Sequence, residues 1–368
     1  MYTVIWRLGM KQFRILVLHD GKPGHLSQSY GLARMIASRC TRCDCEIISV
    51  RAVPRLKLLN RLLRRMAVNV NPLLRRMVFV FYRLEKMPIV PVDLVVSFGG
   101  NVVALNVAYS QLHGIPNALI GSAYTIPSRA IRAHLSLSGD LGDKNAVATT
   151  VVLCRVDQER CRQAGLALLQ NSDRPLWTLL VGGNGSGYGY HDSDWHRLGA
   201  AVRALSEQYD IQWLISTSRR TGAAGVNILR RYMDDDICRA AIWYEGDVSE
   251  PLDAYLGAAS QIFCTEDSLS MVSEAVAMDK PVITLRPTES LPTRAHSKAL
   301  NYMAEVRLIE RLDFSVLPYY RPRYCLPEKS YSAHLDEIFT RIIALGAVNE
   351  LVRSPAPKYV VPHSVQPV

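Results

Sequence analysis

PLWTLLVGGNGSGYGY, Pro175 to Tyr190, opens a pattern that the chain has already used once. Leu176 to Val181 is an apolar run of strand length, and a glycine-rich loop and helical sequence follow it. The first half starts alike, with FRILVLHD (Phe13 to Asp20), a loop holding Gly21 and Gly24, and a helix predicted from about Ser27 to Ser38. Short runs rich in Val, Ile and Leu recur in both halves: CEIISV, VDLVVSFGG, IPNALIG, HLSLSGD and ATTVVLC, then IQWLISTSRR, AAIWYEG, ASQIFCTED and KPVITLRP. Alternation with helical stretches predicts an α/β protein, two Rossmann-like domains whose parallel sheets are covered on both faces. Ligands of such sheets bind beyond the strand carboxyl ends, in a cleft expected between the two domains. The polar segment Asn171 to Pro175 sets the expected boundary, giving domains at 1–170 and 171–345 and a flexible tail or crossover segment at 346–368.

A length of 368 residues suits two domains, and 49% hydrophobic with 21% charged residues describes an ordinary globular chain. The net charge of +10 is the unusual feature. Arg51, Arg55, Lys57, Arg61, Arg64, Arg65, Arg75, Arg76, Arg83 and Lys86 share one segment with a single acid, Glu85. Leucines interleave with these bases, so helical winding sets an apolar stripe beside a cationic one. That pattern suits a helix lying on an anionic membrane surface, or more plainly a solvated basic face. No recognition motif supports nucleic acid. The longest apolar run there, MVFVFY, falls far short of the ~20 residues that cross a bilayer. The first residues carry no signal-peptide pattern, which leads to an expected cytoplasmic location. Eight scattered cysteines then read as reduced thiols, and CTRCDC (Cys40, Cys43, Cys45) lacks the fourth ligand of a zinc site, so no metal is expected.

Five loops at strand ends carry the candidate chemistry. Gly21, Lys22, Gly24 and His25 follow the first strand, where helix amides can bind an anion and His25 can accept a proton. Gly99, Gly100 and Asn101 follow another strand, and paired glycines allow close ligand approach. Gly182, Gly183, Asn184, Gly185 and Ser186 have neither the lysine of a Walker loop nor dinucleotide spacing, which leaves a general phosphate cradle or a structural turn. Ser218, Arg219 and Arg220 offer guanidinium forks. Thr265, Glu266, Asp267, Ser268, Ser270, Met271 and Glu274 open a helix whose cap and free amides favour a phosphate, with Glu274 placed to accept from ribose hydroxyls. By contrast MDDDIC (Met233 to Cys238) falls at a strand's amino end and reads as an acidic surface turn.

DGKPGHLSQSYGLA, STSRRT and TEDSLSMVSEAVAMDKPVITLRP, in that order along the chain, resemble the mitochondrial-fission family of glycosyltransferase-like proteins, from about residue 14 to 340. More distantly the arrangement is similar to the MurG type of GT-B glycosyltransferase. The resemblance implies a GT-B fold and transfer of a sugar from a nucleotide sugar to a lipid-linked or glycan acceptor of lipopolysaccharide type. It implies His25 as base, Glu274 at the ribose, and the loops at Gly182 to Ser186 and Arg219-Arg220 at the phosphates. It further implies no metal or other cofactor, and peripheral attachment to the inner face of the inner membrane through Arg51 to Lys86. Lys22-Pro23 in place of further glycines, and TED in place of small residues, leave the donor open. A nucleotide-sugar 2-epimerase and a non-catalytic membrane scaffold are the alternatives.

Overall fold

The computed structural model describes residues 11–40, 43–137, 143–149, 151–170, 172–244, 252–322 and 329–348. In the first unit β1 (Lys11–His19) and α1 (Pro23–Ser38) lead to β2 (Cys43–Pro54), and α2 (Asn60–Ala67), α3 (Pro72–Val80) and β3 (Tyr82–Leu84) carry the basic segment. Then follow β4 (Leu94–Phe98), α4 (Val103–His113) and β5 (Asn117–Ile120), and the same sheet is extended by β6 (Ala133–Leu137) and β7 (Ala146–Thr149), where the division between the units falls. Across the sheet the order is β3-β2-β1-β4-β5-β6-β7, with β2, β1, β4 and β5 mutually parallel and β3 antiparallel to β2. Ile15, Leu16, Val17 and Leu18 are fully buried on both faces of β1, as a central parallel strand requires.

The second unit runs α5 (Gln158–Gln170), β8 (Leu176–Val181), α6 (Asp192–Tyr209), β9 (Gln212–Thr217), α7 (Gly222–Arg230), β10 (Cys238–Ile242), α8 (Leu252–Ala258) and β11 (Gln261–Thr265). It continues with α9 (Leu269–Val276), β12 (Val282–Arg286), α10 (Arg294–Glu305), β13 (Glu310–Asp313) and α11 (Tyr331–Ala344). Its sheet, β10-β9-β8-β11-β12-β13, is parallel throughout. Trp177 stacks on Phe263 at 5.3 Å and meets Trp213 edge-on at 5.6 Å, which anchors one face of the sheet.

Both units are thus Rossmann-type, the pair of folds expected of a GT-B chain. Strand order reverses between β1 and β4 in one unit and between β8 and β11 in the other. Within each unit the loops after its two strands are therefore neighbours at that sheet's own topological switch point, where open α/β sheets hold ligands.

The chain divides earlier than the expected 170/171 boundary. It passes to the second unit at Leu135, returns for Asp143–Asn145, and joins the first unit again from Phe339. Helix α5 explains the shift, because it belongs to the second unit by close packing on α8. A Cβ on Gly257 would lie 1.8 Å from the Cys161 carbonyl oxygen, and one on Gly165 would lie 2.4 Å from the Ala258 nitrogen. The return occurs within α11, ahead of the crossover expected at 346–368, and residues 349–368 of that segment lie outside the described residues. Met233 to Cys238 forms the expected acidic turn, with Asp234 on Arg203 at 2.7 Å and Asp236 on Arg174 at 2.6 Å.

Candidate functional site

In the first unit Pro23 starts α1 four residues earlier than predicted, so Gly24 and His25 occupy its first turn. His25 Nδ1 lies 3.0 Å from Asp20 Oδ1, and its ring stacks on Phe98 at 4.3 Å. Asp20 is almost fully covered, its side chain 2% exposed. Its Oδ2 accepts from Asn101 Nδ2 at 3.0 Å, and its Oδ1 accepts from the Lys22 amide at 3.2 Å. Burial pushes the Asp20 carboxyl upward, but His25, the Lys22 amide and Asn101 outweigh it and hold the group below the ordinary carboxylate range. An ionised Asp20 on Nδ1 fixes the ring's orientation, the relation between an imidazole and its orienting acid found in hydrolytic triads.

Asn101 therefore positions Asp20, a change from its expected place among donor-binding groups, and Tyr82 Oη and Asn60 hold it in turn. Gly99 is required by packing, since a Cβ there would sit 2.2 Å from the Ser122 carbonyl oxygen. Gly100, at φ +82°, has open space around it. Gly21, at φ +83°, lies under Arg51, and the Lys22 side chain is exposed.

In the second unit the loops after β8, β9 and β11 knit together. Thr265 Oγ1 accepts from the Gly182 amide at 2.7 Å and donates to Asp267 Oδ1 at 2.7 Å. Thr221 Oγ1 reaches the Gly182 carbonyl at 2.6 Å, and Arg220 pairs with Asp267 Oδ2 at 2.7 Å. Tyr190 Oη adds a bond to Asp267 at 3.2 Å. Glu266 is fully buried beneath this layer, gripped by Arg311 through Nε and Nη2 at 2.7 Å each. Thr284 and Tyr188 complete its shell at 2.9 Å and 3.1 Å.

These partners correct several expectations. Glu266 and Asp267 are internal carboxylates that hold loops together, because both are 0% exposed, Glu266 with donors on each oxygen and Asp267 held by Thr265, Tyr190 and Arg220. Thr265, Gly182, Gly183 and Asn184 serve the same scaffold. A Cβ at Gly182 would strike Asp267 at 2.2 Å, one at Gly183 would strike the Arg220 carbonyl at 2.0 Å, and Asn184 accepts from the Tyr190 amide at 2.8 Å. Ser218 caps the turn by accepting from the Arg220 amide, and Arg220 is committed to Asp267. Ser268 is the cap of α9, accepting from the Met271 amide, and Met271 packs on the core.

What remains free is a smaller set. Arg219 is exposed, and Gly185 to Tyr188 form a tight turn with Ser186 exposed at φ 53°, while Gly187 at φ 90° packs against Leu291. The Ser270 hydroxyl has no hydrogen bond among the described residues, nor has the Glu274 carboxyl. Glu274 is half-buried on α9, where burial pushes its pKa up to about 7 against the pull of Arg155. An acid raised above its unfolded value keeps its proton longer in the folded state. Stability therefore falls as pH rises from about 4.5 to 7, and Glu274→Gln is expected to flatten that slope in Tm against pH.

The family described as mitochondrial fission ELM1 matches residues 23–338. The chain belongs to that family. No curated protein sequence matches it. Among solved structures it is similar to E. coli ADP-heptose LPS heptosyltransferase II, at 13% identity over 90% of this chain and 98% of that one, TM-score 0.44. Acinetobacter baumannii MurG gives 15% over 92% and 93%, TM-score 0.42. The UDP-GlcNAc 2-epimerase of Methanocaldococcus jannaschii gives 14% over 91% and 99%, TM-score 0.49. Transferases and epimerases stand side by side at these distances, so the activity of this member of the mitochondrial fission ELM1 family has to be argued from its own residues.

Proposed function

We propose that this member of the mitochondrial fission ELM1 family is a glycosyltransferase that moves a sugar from a nucleotide-activated donor to a lipid-linked or envelope glycan of lipopolysaccharide type. The observation that carries the proposal is the buried Asp20 holding His25 Nδ1 at 3.0 Å. A base oriented in this way suits removal of a proton from an acceptor hydroxyl, a step that a non-catalytic scaffold does not need. In the second unit Glu274 accepts from the ribose hydroxyls. Arg219, the Ser270 hydroxyl, the opening amides of α9 and the turn at Gly185-Ser186 meet the phosphates, and their positive ends stabilise the departing charge without calling on a cofactor.

The test follows release of free nucleotide from a panel of nucleotide sugars, with and without an envelope lipid extract. Release that requires the extract supports transfer. Release or epimerisation without any acceptor supports the epimerase alternative, and neither outcome with any donor supports the scaffold.

The basic segment gives the proposed location, peripheral on the cytoplasmic face of the inner membrane. More than half of the exposed large apolar side chains among the described residues fall between Leu56 and Val90, Leu58 at 96% and Val70 at 88% among them. Arg61, Arg65 and Arg76 are exposed beside them, while Leu63, Met66 and Val78 turn inward. No helix among the described residues is long and apolar enough to cross a membrane. Binding to vesicles containing anionic phospholipid is expected, and serine at Arg61, Arg65 and Arg76 together is expected to weaken it roughly 100-fold, at ~1 kcal/mol per charge. Co-sedimentation checks it, with neutral vesicles as the control.

A further inference from the structure

At the opposite end of the first sheet from Asp20 and His25, the structure brings three thiols together. Cys40 follows α1, and Cys43 and Cys45 lie two residues apart on β2, so they share one face of the strand. Their sulfur atoms all lie within 4.8 Å of one another. An ion bound at ~2.3 Å by each of three thiolates needs sulfurs roughly 3.8–4.0 Å apart, a small contraction from this arrangement. Cys43 is buried while Cys40 and Cys45 are partly open, so a cation has a way in and solvent or a small ligand can take its fourth position. The sequence spacing alone argued against zinc because a fourth protein ligand is missing. The geometry weakens that objection, because soft thiolates in threes hold d10 ions without one.

We propose that Cys40, Cys43 and Cys45 form a three-thiolate site for a thiophilic d10 metal ion, Zn(II) or Cu(I), that clips the end of α1 to the start of β2. Binding exchanges thiol protons for the metal: three S–H groups give three metal–sulfur bonds and up to three protons to solvent. The site lies some nine residues along β1 from Asp20, ~30 Å at 3.3 Å per residue, so its occupancy stabilises the unit and takes no part in sugar transfer.

The full chain, reduced and stripped of metal, is titrated separately with Zn(II) and with Cu(I) against chromophoric chelators. One equivalent is expected to bind, with Zn(II) and Cu(I) distinguished by which chelator it outcompetes. Loss of a direct ligand is expected to cost at least the ~10–100-fold seen for outer-shell partners, so Cys40→Ser, Cys43→Ser and Cys45→Ser each weaken binding by that much, while Cys238→Ser changes nothing. Should the serine variants fail to fold, the wild-type protein decides by alkylation and peptide mass. Metal is expected to protect these three cysteines selectively. The proposal is overturned if the wild-type chain binds no stoichiometric metal, if binding survives loss of all three thiols, if alkylation shows no protection, or if oxidation to a disulfide between two of them is all that occurs.

Discussion

His25→Ala is expected to slow sugar transfer by about 10²–10⁴-fold, the usual contribution of a positioned general base, with folding and nucleotide binding retained. His25 packs on Phe98 at the first turn of α1, so truncation removes a partly exposed ring and opens no core cavity. Asp20→Asn supplies the companion result. It keeps the side chain's shape but places an amide where the carboxylate accepts from Asn101 and faces His25, which disturbs the ring's tautomer and orientation. Its loss is expected to fall on the turnover rate with little change in donor affinity. Steady-state kinetics at saturating donor check both variants. An alanine at His25 that turns over at the wild-type rate contradicts the assignment of the base.

Arg311→Met is expected to have the largest effect on stability. Glu266 is wholly buried and takes both of its strongest bonds from one guanidinium, which is itself 18% exposed. Removing one partner of a buried pair leaves an uncompensated charge and costs ~3–5 kcal/mol, on the order of 10 °C in Tm for a unit of this size. Changing both groups, Glu266→Gln with Arg311→Met, is expected to recover part of that loss, since no bare charge is then left inside. Differential scanning calorimetry on the single and double variants measures it. A variant of unchanged Tm that loses only nucleotide affinity would return Glu266 to the ligand-binding set.

The architecture was legible because parallel strands buried on both faces spell long apolar runs, and Leu16 to Leu18 or Ile262 to Cys264 admit no other reading. Two of the four edge strands were not. YRL in β3 and ERLD in β13 are short and charged, as solvent-facing edges are, and resemble loop. The switch-point loops were correctly located from their glycines and hydroxyls, but the reason for the glycines was hidden. A glycine that admits a phosphate and a glycine that admits Asp267 or the Arg220 carbonyl look alike in sequence. Likewise TED reads as ligand-binding until Arg311, 45 residues further on, is found on Glu266. Asp20 was the signal within reach. It precedes the glycine loop directly, and an acid five residues before a histidine at a strand end was enough to ask whether the two meet.

The most direct measurement is the thermal shift produced by UDP, CMP, GDP and their common sugar conjugates on the wild-type protein and on Glu274→Ala. A ligand that binds only the folded state at 100 times its Kd adds about 2.7 kcal/mol, a shift easily resolved. Stabilisation by one nucleotide class that disappears in Glu274→Ala is the predicted result. An unchanged melting curve with every nucleotide would contradict the assignment of a donor site to these loops and leave Thr265 to Glu274 as a well-capped, internally braced helix start.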